Sequence, residues 1–170
     1  MNLRNGVLTL MLGAFLASCG GDTASQQAAS SSPATQEAGV KPTGETVEIL
    51  LQSDDNMKYD KTEIRVKEGQ NVKLTLKHNG TMPKDAMGHN FVLLNQGVDL
   101  QTFGQGAAKA QAPDFDVPYE VIGDVIVSTP MIGGGESTTI EFVTPPKGTY
   151  TFLCSFPGHY GMMNGQFIVE

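Results

Sequence analysis

Residues 154–163 read CSFPGHYGMM, and this stretch decides how the rest of the chain is interpreted. It places one cysteine, one histidine and two adjacent methionines between two segments with strand-like apolar patterns, residues 149–154 and 165–169. A second short stretch, residues 87–90, reads MGHN and lies just before another apolar segment. Together the two stretches offer one thiolate, two imidazoles and a thioether, which indicates a metal site built from distant parts of the chain.

The donor atoms of Cys154, His89 and His159 indicate which metal the site would hold. Two histidine nitrogens and a cysteine sulfur in a plane, with a long contact to methionine, form the ligand set of a blue-copper centre. Soft sulfur donors favour Cu(I), while imidazole suits both oxidation states of copper. The sequence therefore predicts one type 1 copper ion and one-electron chemistry, with Met162 and Met163 both open as the axial donor.

Other interpretations of these residues are weaker. A buried cysteine often serves only as a small apolar side chain, and an isolated histidine is most often a core or surface residue. The joint spacing of Cys154, His89 and His159 favours the interpretation that all three are metal ligands. Zinc also accepts such donors, but the loop 154–163 has no carboxylate to assist a metal-bound water, so a hydrolase is disfavoured. We therefore expect no enzymatic activity.

Short alternating segments predict the fold class. Residues 71–77 (NVKLTLK) alternate strictly between apolar and polar side chains, as in a half-buried strand. The stretch 96–118 lacks this alternating strand pattern and is predicted to hold one short helix. We expect an all-β Greek-key sandwich of about eight strands. Its predicted strands are residues 46–51, 63–66, 71–77, 90–94, 125–128, 137–143, 149–154 and 165–169.

The pattern G-H-N followed by C-x₄-H-x₃-M resembles the azurins of the cupredoxin family. The resemblance extends over residues 45–170 and includes residues 52–59 (QSDDNMKY), 78–90 (HNGTMPKDAMGHN) and 149–165. It implies a cupredoxin-like fold and an electron-transfer protein. The implied ligands are His89, Cys154 and His159 in the plane, Met163 as the axial donor and the Gly88 carbonyl as a weak contact opposite.

The same resemblance implies roles for residues around the metal. Asn90 is expected to join the two ligand loops by hydrogen bonds, and the Phe156 amide to donate to the Cys154 sulfur. His78 is expected to be structural. The chain departs from most azurins in lacking the disulfide near Val47 and in carrying Phe91 where a tryptophan is common.

Methionines near the predicted site suggest where a redox partner docks. By resemblance to the apolar patch around the exposed ligand histidine of azurins, we expect a flat docking face beside His159. The alternative is that these methionines only fill gaps in the core. The expected partners are protein electron donors and acceptors, such as a cytochrome or a terminal reductase or oxidase. The predicted patch residues are Met57, Met82, Met87, Pro157 and Met162.

The N-terminal residues predict export and anchoring. Residues 7–17 (VLTLMLGAFLA) form an apolar run too short to span a bilayer, and the following Ser18-Cys19 completes a sequence that resembles a bacterial lipobox. We expect a lipoprotein signal peptide over residues 1–18 and a lipid on Cys19; an ordinary signal peptide is the alternative. Residues 19–44 predict a flexible tether and residues 45–170 the folded domain.

Charge and location narrow the function further. The chain has 170 residues and a formal net charge of −7, which disfavours nucleic acid as a partner. We expect a periplasmic protein of the cell envelope, with the outer membrane favoured by Gly20 after the lipidated cysteine, and no small-molecule substrate. A one-electron carrier fits this description best, and a copper delivery or storage protein is the alternative.

Overall fold

The computed structural model describes residues 42–170, which fold into two facing β-sheets. The predicted signal peptide (1–18), the predicted lipidation site Cys19 and most of the predicted tether (19–44) lie outside the described residues. Within residues 42–170, no helix is both long and apolar enough to cross a membrane. The strands in chain order are β1 (Thr46–Asp54), β2 (Lys58–Tyr59), β3 (Glu63–Val66), β4 (Asn71–His78), β5 (Val92–Leu94), β6 (Val125–Ser128), β7 (Ser137–Val143), β8 (Gly148–Leu153) and β9 (Asn164–Val169).

The strand order confirms the predicted all-β sandwich. One sheet has the order β2-β1-β4-β7 and the other has the order β3-β9-β8-β5-β6. β1 runs parallel to β4, and β3 runs parallel to β9, while the other neighbours are antiparallel. Both sheets therefore contain pairs of strands that are far apart in the chain, as in a Greek-key arrangement.

The core lies between the two sheets because the inward residues of each strand are apolar. Val72, Leu74 and Leu76 of β4 are buried, and the residues between them are at least partly exposed. Burial of each such side chain contributes about 1.5–3 kcal/mol. Phe152 packs at the centre, with ring centroids 5.5 Å from Phe91 and 5.6 Å from Tyr59.

The strands differ from the sequence prediction at several ends, and β1 extends to Asp54 rather than ending at residue 51. β2 is an additional strand of two residues, too short to show a periodic pattern. β5 begins at Val92 rather than at residue 90, because the Phe91 amide donates to the side chain of Thr129 instead of joining the ladder. β8 ends at Leu153, which leaves Cys154 just beyond the sheet.

The helices lie in the connections. The predicted helix within residues 96–118 is α2 (Leu100–Ala107). Asp99 caps its N-terminus, because the Asp99 carboxylate accepts a hydrogen bond from the Thr102 amide at 2.8 Å. Two single turns, α1 (Lys84–Met87) and α3 (Tyr119–Ile122), were not predicted. Phe103 and Ala107 of α2 pack in a second apolar cluster that includes Leu153.

Candidate metal centre

Three side chains from two distant stretches of the chain converge beside the ends of β5 and β8. His89 lies just before β5, Cys154 follows β8, and His159 lies in the loop between β8 and β9. The Cys154 Sγ atom is 3.8 Å from His89 Nδ1 and 3.7 Å from His159 Nδ1. All three donor atoms lie within 4.8 Å of one another. The structure therefore brings together the cysteine and both histidines predicted as ligands.

The two sulfur–nitrogen separations are compatible with donors that share one metal ion. Bonds of about 2.0–2.1 Å to nitrogen and about 2.3 Å to sulfur, at an angle of about 120°, would place the sulfur and each nitrogen roughly 3.7–3.8 Å apart. The observed distances of 3.8 Å and 3.7 Å match this spacing.

The loop that carries two of these donors is closed by backbone hydrogen bonds. The Cys154 amide donates to the Met163 carbonyl at 2.9 Å, and the Met163 amide donates to the His159 carbonyl at 2.8 Å. The His159 amide donates to the Phe156 carbonyl at 3.0 Å. Gly158 has a φ of +87°, which favours glycine at this turn.

The two methionines of the loop occupy different environments. Met163 is fully buried in the same apolar cluster as Cys154, whereas the Met162 side chain is 60% exposed. Gly88 also lies beside the donor atoms, because its carbonyl oxygen is 3.8 Å from Cys154 Sγ. Met163 and the Gly88 carbonyl are therefore the candidates for weak axial contacts, and Met162 lies at the surface.

Burial governs the protonation of the donor side chains. It raises the pKa of the Cys154 thiol to about 11, although hydrogen bonding from the backbone amides of Asn90 and Phe156 acts in the opposite direction. Burial lowers the pKa of His159 to about 4 and also lowers that of His89. At neutral pH both imidazoles are therefore ready to bind a metal, and the thiol releases a proton when it does.

A backbone carbonyl sets the orientation of His89. Its Nε2 atom lies 2.9 Å from the Asp54 carbonyl oxygen, which can only accept a hydrogen bond. Nε2 therefore carries the proton, and Nδ1 keeps a free lone pair that points towards Cys154. Sequence reasoning missed this contact, because a carbonyl at the end of β1 has no side-chain signature.

The residues predicted around the metal lie beside the donors. Asn90 and Ser155 form two side-chain hydrogen bonds that join the two ligand loops. His78 is fully buried and stacks on His89, with ring centroids 4.3 Å apart. The Gly80 amide donates to His78 Nδ1 at 2.9 Å, so this nitrogen carries no proton. The proton of the neutral ring is therefore on Nε2, which donates to the Met87 carbonyl at 3.0 Å.

Tyr59 is a further residue that the sequence analysis did not single out. Its hydroxyl donates to the Asn90 carbonyl oxygen, and its side chain is nearly buried. Burial also raises the pKa of Tyr59 well above its usual value, so the phenol stays protonated. Tyr59 thus attaches the short β1–β2 hairpin to the segment that follows His89.

The residues of the predicted docking patch are exposed to different degrees. Met162 is 60% exposed and Met82 is 38% exposed, whereas Met57, Met87 and Pro157 are half-buried. His159 itself is 4% exposed.

Comparison with known proteins agrees with this geometry. A sequence model of copper binding proteins of the plastocyanin/azurin family matches residues 26–170. An azurin of Achromobacter denitrificans is 42% identical over 127 residues, which cover 69% of this chain and 80% of that protein. Outer membrane protein H.8 of Neisseria gonorrhoeae is 36% identical over 119 residues, which cover 68% of this chain but only 63% of H.8.

Comparison of structures gives the same result. The crystal structure of a reduced auracyanin from Roseiflexus castenholzii aligns with a TM-score of 0.64 and 37% identity, covering 75% of this chain and 99% of the auracyanin. The fold, the donor set and the relatives agree on one type 1 copper ion as the cofactor. The chain belongs to the plastocyanin/azurin family of copper-binding proteins.

Proposed function

We propose that this protein is a one-electron carrier of the cell envelope, with copper held by His89, Cys154 and His159. Met163 would supply a further sulfur donor, and the Gly88 carbonyl would supply a weak additional contact. The convergence of one sulfur and two Nδ1 atoms at 3.7–3.8 Å carries this proposal. When bound, copper supplies a couple between Cu(I) and Cu(II) that accepts or releases one electron.

The protein supports this redox couple by holding the metal-binding side chains in one fixed arrangement. The ligand loop is closed by the hydrogen bonds between Cys154, His159 and Met163, and it is joined to the His89 segment through Asn90. Burial excludes water from the donors. Little rearrangement is needed when the charge of the site changes, which favours rapid electron transfer over catalysis.

Electrons enter and leave beside His159, because Pro157 and Met162 of the predicted docking patch belong to the same loop and the Met162 amide donates to the His159 carbonyl. Met162 is 60% exposed and offers soft apolar surface in this loop, and Met82 is exposed as well. Such a face suits a brief, small contact with another redox protein, of under about 1,200 Å² in total. A cytochrome or a terminal reductase or oxidase fits this role as donor or acceptor.

The N-terminal sequence supports a tether to a membrane. Cys19 follows the apolar run of residues 7–17 and is the proposed lipidation site, with residues 19–44 as the flexible tether. A chain of this length reaches about 25–30 Å. The related H.8 protein is named an outer membrane protein, which supports the outer membrane as the location. Mass spectrometry of the protein isolated from membranes tests this, with acylated Cys19 as the expected N-terminus.

Reversible redox cycling of the copper-loaded protein tests the carrier function. We expect ascorbate to reduce one copper per chain, ferricyanide to reoxidise it, and a Cu(I) chelator to remove none of it through repeated cycles. A carrier needs a closed site of this kind, whereas a delivery or storage protein must release its metal. Loss of copper to the chelator on each reduction would favour the delivery function and contradict the proposal.

A further inference from the structure

A series of packed aromatic rings, tilted by 40° and 43° to one another, leads from the metal centre to the connection between α2 and α3. The ring centroid of Phe156 lies 4.6 Å from that of His159 and 4.9 Å from that of Phe115. Phe156 belongs to the ligand loop, but Phe115 lies in the stretch 96–118 that interrupts the strand pattern. Phe115 is half-buried and packs against the apolar cluster to which the buried Phe156 belongs.

The backbone at Phe115 adopts a conformation that side chains with a Cβ atom avoid. Its φ is +53°, and only Met57 shares a positive φ among the non-glycine residues between 42 and 170. The Phe115 amide donates to the Gln111 carbonyl at 2.9 Å, and the neighbouring Asp114 pairs with Lys84 of α1 at 3.4 Å. Such a conformation persists where its surroundings determine it, and here they direct the ring onto Phe156.

Phe156 transmits this contact to two residues of the metal centre. Besides its tilted packing on the His159 ring, its Cδ2 atom lies 3.0 Å from the position that a Cβ atom on Gly88 would take. A shift of Phe156 would therefore disturb the His159 ring and the packing beside Gly88. The same Cβ atom would lie 2.5 Å from the Lys84 carbonyl oxygen and 2.8 Å from Met131 Cγ, so glycine at this position leaves room for all three groups.

We propose that Phe115 is a positioning residue of the copper site, which holds Phe156 against His159 and Gly88 and keeps water from that side. The proposal rests on the proposed function, because it concerns the same metal. With a thiolate ligand, the oxidised site carries one net positive charge and the reduced site carries none. Water stabilises the charged state, so loss of the Phe115 ring favours the oxidised form.

The substitutions Phe115→Leu and Phe115→Ala in the full chain test this role by the reduction potential. At a fixed solution potential we expect the ratio of oxidised to reduced protein to rise about three- to tenfold in Phe115→Ala, which corresponds to about 30–60 mV at 59 mV per tenfold change. Phe115→Leu should change the ratio in the same direction by less. An unchanged potential in both variants would overturn the proposal.

A second measurement needs no copper. In the metal-free protein we expect Phe115→Ala to accelerate hydrogen exchange of the His159 and Met163 amides by about threefold or more, since Phe156 no longer holds the loop. The matched control is Phe142→Ala, because Phe142 is also half-buried and packs on Phe167 with centroids 6.0 Å apart. It should lower the melting temperature without altering the potential or the exchange of these amides.

These two measurements separate the possible failures. If Phe115→Ala behaves like Phe142→Ala, Phe115 only covers the core and the proposal is wrong. If the unsubstituted protein forms no blue-copper site, the proposed function fails. The exchange of the His159 and Met163 amides still decides whether Phe115 positions the loop.

Discussion

Asn90 and Ser155 form two hydrogen bonds with each other, both 2.8 Å long. Asn90 Nδ2 donates to the Ser155 hydroxyl, and the Ser155 amide donates to Asn90 Oδ1. Both residues are buried, and each follows directly after a donor residue, His89 or Cys154. This pair therefore fixes the distance between the two segments that supply the metal donors.

Removal of the Asn90 side chain should destabilise the fold. Asn90→Ala removes two buried hydrogen bonds and leaves the Ser155 amide without its partner, which should cost about 2–4 kcal/mol. Urea unfolding of the copper-free protein measures this loss. Asn79→Ala is the control, because the exposed Asn79 side chain bonds only to Gln52 in the described structure and should change stability by less than about 0.5 kcal/mol. Equal losses in the two variants would contradict the account.

The two adjacent methionines should respond differently to the same substitution. Met163→Leu removes the proposed axial sulfur while filling a similar volume, so we expect an altered copper spectrum and a shifted reduction potential. Met162→Leu should leave both unchanged, because Met162 lies at the surface. Visible and EPR spectra with voltammetry compare the two variants. The opposite pattern would identify Met162 as the ligand.

A charge placed in the proposed docking patch should slow electron exchange. Met162→Lys puts a hydrated ammonium group on the apolar face beside His159, so two molecules should approach each other less closely there. NMR line broadening in mixtures of the oxidised and reduced protein measures the self-exchange rate. We expect a fall of about tenfold or more with an unchanged copper spectrum. Exchange at the original rate would indicate that electrons leave by another surface.

The copper-free protein should lose stability as the pH falls below neutrality. Burial lowers the pKa of His159 from 6.5 to about 4, so between these values the unfolded chain binds a proton that the folded chain does not. The free energy of unfolding should therefore decrease from about pH 7 towards pH 4, and His89 contributes in the same direction. Urea titrations at several pH values test this. His159→Gln should flatten the curve, and an equally steep curve would assign the effect to other groups.

The sequence was informative where side chains carry a pattern. The alternation in β4 predicted its buried face, and the spacing of Cys154 and His159 predicted donors that the structure brings within 4 Å of each other. It was uninformative where the backbone makes the contact. The Asp54 carbonyl that orients His89 and the left-handed backbone at Phe115 depend on the folded chain and have no residue signature. The two-residue strand β2 was missed because it is shorter than any recognisable period.

The spectrum of the copper-loaded protein, recorded before and after the substitution Cys154→Ser, tests the central claim most directly. If the thiolate of Cys154 binds copper together with His89 and His159, the oxidised protein should show an intense visible band from sulfur-to-copper charge transfer. Its EPR spectrum should show a small copper hyperfine splitting. Both features should disappear in Cys154→Ser, because a hydroxyl cannot replace the thiolate. A weak visible spectrum that is the same in both proteins would contradict the account.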